Sequence, residues 1–203
     1  MIECHPLAPF LAKNAQVLIL GSFPPPKNRW KMDFYYPNYN NDFWRILGLI
    51  FFQDSDYFID LTQKTFKQIT IEQFLHDYGI AISDTAQQVR RLHGNASDQF
   101  LQIEQYQEIA YLLKQLPYCR HIMVTGDKAC EALCHILQID IPHKLKIGQS
   151  VALPTQGEAI LQRGLTLHRV PSSSRAYPLP LVQKAAFYRQ VFERVGILQG
   201  LEH

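Results

Sequence analysis

Val17-Leu-Ile-Leu-Gly-Ser-Phe-Pro-Pro-Pro26 is the stretch on which the fold turns. Its apolar run is too short for a helix and stops at glycine and proline, which is the pattern of a strand buried on both faces. Gly21 allows the chain to turn tightly there. Pro24, Pro25 and Pro26 then fix the backbone without offering N–H donors. The glycines and lysine of a dinucleotide cradle or a P-loop are missing. Ser22 has no G-x-S-x-G setting, which argues against a hydrolase nucleophile elbow. What remains is a rigid turn that holds Phe23 and nearby backbone groups in one place.

Three more runs read the same way: Gly79-Ile-Ala-Ile-Ser83, His121-Ile-Met-Val-Thr125 and Leu165-Thr-Leu-His-Arg-Val170. Between them lie segments of helical periodicity. These are Phe43 to Ile50, Ser97 to Leu116 with Phe100, Ile103, Ile109 and Leu112 as its stripe, Lys128 to Leu137, and Leu181 to Val195. Ser97 and Asp127 are placed to act as N-caps. Strands alternating with helices predict an α/β protein, a three-layer α/β/α sandwich around a central, mostly parallel four-stranded sheet. A length of 203 residues fits one domain over 1–200, and Leu201-Glu-His203 looks like the start of an expression tag. In such a sheet ligands bind beyond the carboxyl ends of the strands. The segments to inspect are therefore Phe23 to Asn41, Asp84 to Ala96, Gly126-Asp127 and Pro171 to Pro180.

Composition narrows the class. Hydrophobic residues are 47% and charged residues 19%, a globular balance, and a formal net charge of +2 excludes a histone-like polycation. Twelve Phe, ten Tyr and two Trp are enough to stack on a flat ligand after filling a core. No apolar stretch is long enough for a membrane span, and no secretion signal is visible. Cys4, Cys119, Cys130 and Cys134 lack disulfide-framework or zinc spacing, so they read as small buried hydrophobes of a reducing cytoplasm. No metal and no cofactor is expected, and nothing signals an oligomer, so a monomer is expected.

Asp33-Phe-Tyr-Tyr-Pro-Asn-Tyr-Asn-Asn-Asp-Phe-Trp44 is the most unusual stretch. It packs aromatics, amides and two carboxylates into one loop. An aromatic face can stack on a nucleobase, and Asn side chains can read base edges or hold a water. The same residues also suit an Asn-rich turn with Asn41 or Asp42 as helix N-cap and the rings in the core. Asp33, Asp42 and Asp84 are the carboxylates near the crevice, and capping accounts for Asp42. In Pro171-Ser-Ser-Ser-Arg175, hydroxyls and backbone N–H groups suit a phosphate, or equally a capping turn, and Arg175 adds a permanent charge.

In order and spacing these pieces resemble the uracil-DNA glycosylase superfamily, from Val17 to Val195. Gly21-Ser-Phe-Pro-Pro resembles its glycine-led first motif, and Pro171-Ser-Ser-Ser-Arg175 its Pro-Ser loop. Tyr36 through Asn41-Asp-Phe-Trp44 is similar to the mismatch-specific and hypoxanthine-DNA glycosylase branches. Gly79-Ile-Ala-Ile-Ser-Asp84 with Gly94-Asn-Ala-Ser-Asp98 resembles a segment of the hypoxanthine branch. The resemblance implies that Tyr36 stacks on a flipped base and Asn41 holds the attacking water. It further implies that Gly21, Ser22, Phe23, Pro24 and Phe43 help form the base pocket. Pro171, Ser172, Ser173, Ser174 and Arg175 then press on the DNA. Two positions depart from the pattern. Phe23 stands where several branches carry Asp or Asn, and Val170 where some carry His, with His168 two residues earlier.

The implied activity is a monofunctional DNA glycosylase that excises uracil or hypoxanthine from a damaged or mismatched duplex. Its partner is DNA and its product an abasic site. Lys27, Arg29, Lys31, Arg45, Arg90, Arg91 and Arg175 are candidate phosphate contacts. A DNA-damage-binding module without catalysis, kept open by Phe23, and a nucleoside or nucleotide hydrolase are the alternatives.

Overall fold

A computed structural model of the chain describes residues 1–92, 100–139, 145–154 and 163–199. The Gly94–Asp98 likeness, the Ser97 cap and the tag-like end fall outside the described residues. In chain order the strands are β1 (Ile2–Cys4), β2 (Val17–Gly21), β3 (Ile59–Asp60), β4 (Thr65–Phe66), β5 (Ile80–Asp84), β6 (Ala86–Arg91), β7 (Leu101–Tyr106), β8 (His121–Thr125), β9 (Ser150–Ala152) and β10 (Thr166–Val170). The helices are α1 (Phe43–Phe52), α2 (Gln68–Asp77), α3 (Ile109–Lys114), α4 (Asp127–Ile136) and α5 (Leu181–Val195).

The central sheet has the order β5-β2-β8-β10-β9. The four strands expected from the sequence are its parallel members, in register at Val17 with Ile80 and His121, and at His121 with Thr166. The short strand β9 runs antiparallel along β10, so the sheet has five strands rather than four. Alternation along β2 explains the layers. Val17 and Ile19 face α1, α2 and α5, in a cluster with Phe43, Trp44, Ile71 and Phe192. Leu18 and Leu20 face the other way, onto Ile109 and Leu113 of α3 and Leu133 of α4. Each fully buried Leu or Ile contributes about 1.5–3 kcal/mol, which makes this double-sided burial the main stabilising force.

One sequence reading is overturned. Residues 101–106 form a strand of a second, antiparallel sheet of order β1-β6-β7, not part of a long helix. Leu-Gln-Ile-Glu alternates with period two, and Leu101 with its neighbour Ile103 packs on Phe23, Ala86 and Val89. Helix α3 begins only at Ile109. The described part of the segment after β5 is largely β6, and α2 stands where the sequence reading placed no helix. Asp127 does not cap α4. Gly126, with φ of 90°, occupies that place, while the Asp127 carboxylate accepts from the Arg169 guanidinium.

The chain leaves β2 for α1 on one face and leaves β8 for α4 on the other. Connections that diverge from neighbouring strands open a crevice between them at the carboxyl ends. The second sheet closes one side of that crevice through Phe23.

Candidate active site

A cavity of about 510 Å³ lies where β2, β5, β8 and β10 end. Gly21, Ser22, Phe23 and Pro24 form one wall, Tyr36 and Asn41 another, and Ser172, Ser173 and Ser174 a third. Nine of the residues named from the sequence thus meet in one place. Asp84, Thr125, Arg29 and Tyr177 line it as well.

Tyr36 is held from three directions. Its backbone sits at φ 52°, a left-handed conformation that costs a non-glycine residue of order 1 kcal/mol or more. Its ring stacks on Phe43 with centroids 3.6 Å apart and planes 10° off parallel. Its hydroxyl meets Thr125 Oγ1 at 2.9 Å. Phe43 itself is fully buried, so it backs the Tyr36 ring and does not line the cavity, contrary to the sequence expectation. Trp44 Nε1–H donates to the Tyr35 carbonyl at 3.0 Å, tying the loop to α1.

Asn41 is oriented by the helix it precedes. Its Oδ1 accepts the Phe43 N–H at 2.9 Å. The Asn41 amide nitrogen has no protein partner among the described residues. Asn41 and Ser174 form a β-bridge, and the Asp42 N–H donates to the Ser173 carbonyl at 2.9 Å. The loop before α1 and the loop after β10 are therefore one stitched unit.

Asp42 is the clamp of that unit. It stands at the N-cap position of α1 but makes no side-chain cap bond. Its Oδ1 accepts from Arg175 Nε at 2.9 Å and its Oδ2 from Lys184 Nζ at 3.0 Å. Lys184, 1% exposed, also donates to the Ser174 carbonyl at 2.8 Å. Pairing with two cations, and not the capping expected from the sequence, therefore accounts for Asp42. Pro171 is buried and outside the cavity wall, and its carbonyl accepts from the Tyr188 hydroxyl at 2.9 Å. Complete burial pushes the Tyr188 phenol well above its ordinary pKa. Ser172 and Ser174 hydroxyl oxygens accept the N–H groups of Ser174 and Ala176, so the loop is a serine-capped turn well ahead of α5. Arg175 is half-exposed at the rim.

Asp84 closes the floor. It ends β5, is 6% exposed, and its Oδ2 accepts from His5 Nε2 at 2.9 Å. His5 reaches it because β1 pairs with β6, and its Nδ1 lies 2.9 Å from the Leu7 carbonyl oxygen and 3.2 Å from the Leu7 nitrogen. A Cβ placed on Gly21 would lie 2.3 Å from Asp84 Oδ1 and 3.2 Å from the Tyr36 hydroxyl oxygen. Gly21 has no positive φ. It is needed for space, not for the turn that the sequence reading assigned to it. His5 was not anticipated, since only a long-range strand pairing brings it here.

Several expected contacts lie elsewhere. Asp33 pairs with Lys27 on the surface, away from the cavity. Arg45 is buried and donates to the Tyr39 carbonyl, and Arg91 bonds Glu3 and the Pro24 carbonyl. Neither is available to phosphate. Arg90 pairs with Glu104, and Arg29 alone of the candidate cations lines the cavity. His168 does not reach it. Its ring bonds His121 at 2.9 Å and Ser150 at 2.7 Å, and burial depresses its pKa to about 4. Among the described residues no group of three His, Cys, Asp or Glu could hold a metal ion, and no helix is long and apolar enough to cross a membrane.

The architecture is that of an α/β protein, a mostly parallel sheet between helical layers with a crevice at the carboxyl ends of its strands. The solution structure of a Methanosarcina acetivorans protein, provisionally named a uracil DNA glycosylase, shares it with a TM-score of 0.59. The two chains are 21% identical over 97% of this chain and 99% of that one, a likeness of fold. No protein-family model and no curated protein matches the chain.

Proposed function

We propose that the protein is a monofunctional DNA glycosylase acting on a deaminated or mismatched base, uracil or hypoxanthine, extruded from a duplex. The observation that carries this reading is the joining of a fixed aromatic shelf, Tyr36 on Phe43, with the oriented amide of Asn41 in one crevice. A base inside a duplex stack cannot be reached, so it must swing out into such a pocket. Stacking on an aromatic side chain contributes about 1–3 kcal/mol per base.

In the reaction, water forms a bond to the sugar carbon while the glycosidic bond breaks and its electron pair leaves with the base. The proton released by water ends on the departing base or in solvent. Asn41 cannot take that proton. Its amide N–H can hold the water oxygen, since Oδ1 is already committed to Phe43. Positioning then supplies much of the barrier reduction. The positive end of α1 lies directly behind Asn41, whose Oδ1 accepts the Phe43 N–H, and favours negative charge developing nearby on the base. Phosphates meet Arg29 and Arg175 at the rim. Neither metal nor cofactor has a part in this scheme, and the working unit is a monomer in the cytoplasm.

The test is base release from duplexes containing uracil, hypoxanthine, xanthine or mismatched thymine. Release of one base, reduced about 100-fold or more by Asn41→Ala with the fold intact, is the expected result. No release from any duplex, despite salt-sensitive DNA binding, would leave a damage-binding module. Phe23 in the place where other branches hold a polar residue is the feature favouring that outcome.

A further inference from the structure

A second cavity, of about 460 Å³, shares none of the crevice's lining. Phe52 closes α1 on one side of it and Tyr57 follows in the turn; Phe74, Asp77 and Tyr78 come from the end of α2. Phe74 and Tyr78 are four residues apart and Asp77 three from Phe74, so all three lie on one helical face. Phe52 stacks on Tyr57 with centroids 3.6 Å apart and planes 5° off parallel, and Phe74 lies 4.9 Å from Tyr78. The two pairs stand steeply to each other, 61° between Phe52 and Phe74 and 86° between Phe52 and Tyr78. Of the four rings only Phe74 is buried, and Ile69 beside them is exposed.

The groove is anionic as well as aromatic. Asp77 is exposed and is the last residue of α2, where the helix dipole already presents negative charge. Its Oδ1 accepts from Gln73 Nε2 at 2.7 Å. Burial, with Tyr57 and Asp77 close by, raises the pKa of the Tyr78 phenol. Among the described residues no lysine or arginine lines the groove. Lys67 turns its ammonium to the Tyr57 carbonyl, 2.9 Å away, and His76 packs on Phe10.

We propose that this groove docks an arginine of a partner protein, its guanidinium held between the rings and Asp77 and an apolar neighbour covering Ile69. The electron-rich faces of aromatic rings attract cations, and the flat, weakly hydrated guanidinium stacks on them better than an ammonium does. A carboxylate at the rim adds a charge-assisted pair. The phosphates of a nucleic acid would meet Asp77 and the negative end of α2 instead. Asn41 precedes the first residue of α1 and Phe52 is its last, so the ten-residue helix sets the groove about 15 Å from the crevice. A partner can therefore dock while the crevice is occupied, and the inference does not depend on what the crevice does.

The probes are the capped tripeptide acetyl-Leu-Arg-Leu-amide and its citrulline counterpart, which keeps the shape and lacks the charge. Each is titrated into the full chain and followed by NMR shift changes. The arginine peptide should bind about 3- to 30-fold more tightly than the citrulline one. It should move the resonances of Tyr57, Gln73 and Tyr78 and leave those of Tyr36 and Asn41 in place. Asp77→Asn and Tyr57→Leu should each lower the preference for arginine. Asp77 is exposed, so its replacement leaves the fold intact even should Tyr57→Leu not fold.

Equal binding of the two peptides, or none by either, overturns the proposal. So does a preference left intact by Asp77→Asn, or shifts centred on the crevice. A single-stranded oligonucleotide that moves the groove resonances where the arginine peptide does not would give the groove to nucleic acid and overturn it as well.

Discussion

Asp42 and Asp84 are equally buried, and both stand in loops or strand ends around one crevice, but they are wired differently. Both Asp42 oxygens are occupied by cations, Lys184 from α5 and Arg175 from the loop after β10. Asp84 has one histidine on one oxygen and keeps the other toward the cavity. A carboxylate held by cations on both oxygens joins elements; one held by a single histidine lines the cavity. The contrast separates a strut of the crevice from a residue of its lining, whereas the sequence set Asp42 apart only as a helix cap.

The contrast breaks first at Asp42. Asp42→Ala strands a buried ammonium on Lys184 and should cost about 3–5 kcal/mol, measured by denaturant unfolding. The isosteric Asp84→Asn retains the His5 contact and should cost far less. Equal losses would show that both residues are struts.

A second buried polar pair, at the flank of the sheet away from the cavity, sharpens the point by its response to pH. His168 faces His121, Ser150 and, through Ser150, Arg194, with no carboxylate bonded to it among the described residues. Its ordinary value is 6.5 and its folded value about 4, so the unfolded chain binds the proton more readily. Its contribution is intact above pH 6.5 and is lost progressively as pH falls from there to about 4. Melting curves across that range should fall with pH for the parent protein and fall less for His168→Gln.

The smallest effect belongs to Arg175. Its pair with Asp42 is half-exposed, so Arg175→Ala should cost under about 1 kcal/mol of stability. It should nonetheless lower the salt dependence of DNA binding by about one phosphate contact. An unchanged salt slope would make Arg175 part of the clamp only.

What the sequence shows most clearly is what burial writes into it. The parallel strands appear within a residue of their positions, and α5 over Leu181–Val195 residue for residue, because apolar runs and stripes end at turn formers. Tyr36, Asn41 and the serine loop were legible because strand-end loops are where ligands bind in this architecture. Strand β7 was misread because Phe100 and Ile103 also fit a helical stripe, and only the partner strand decides for Leu101 and Ile103. His5 carries no local signal at all. Its importance comes from pairing between β1 and β6, residues more than eighty positions apart. Phe43 illustrates the converse, a residue beside the site in sequence and behind it in space.

Gly21 gives the cavity a threshold measured in one carbon atom. Its backbone is compatible with alanine, so the fold does not demand glycine there, but the volume a methyl group would take is the volume that Asp84 Oδ1 overlooks. The depth of the crevice is set by an absence of matter in β2.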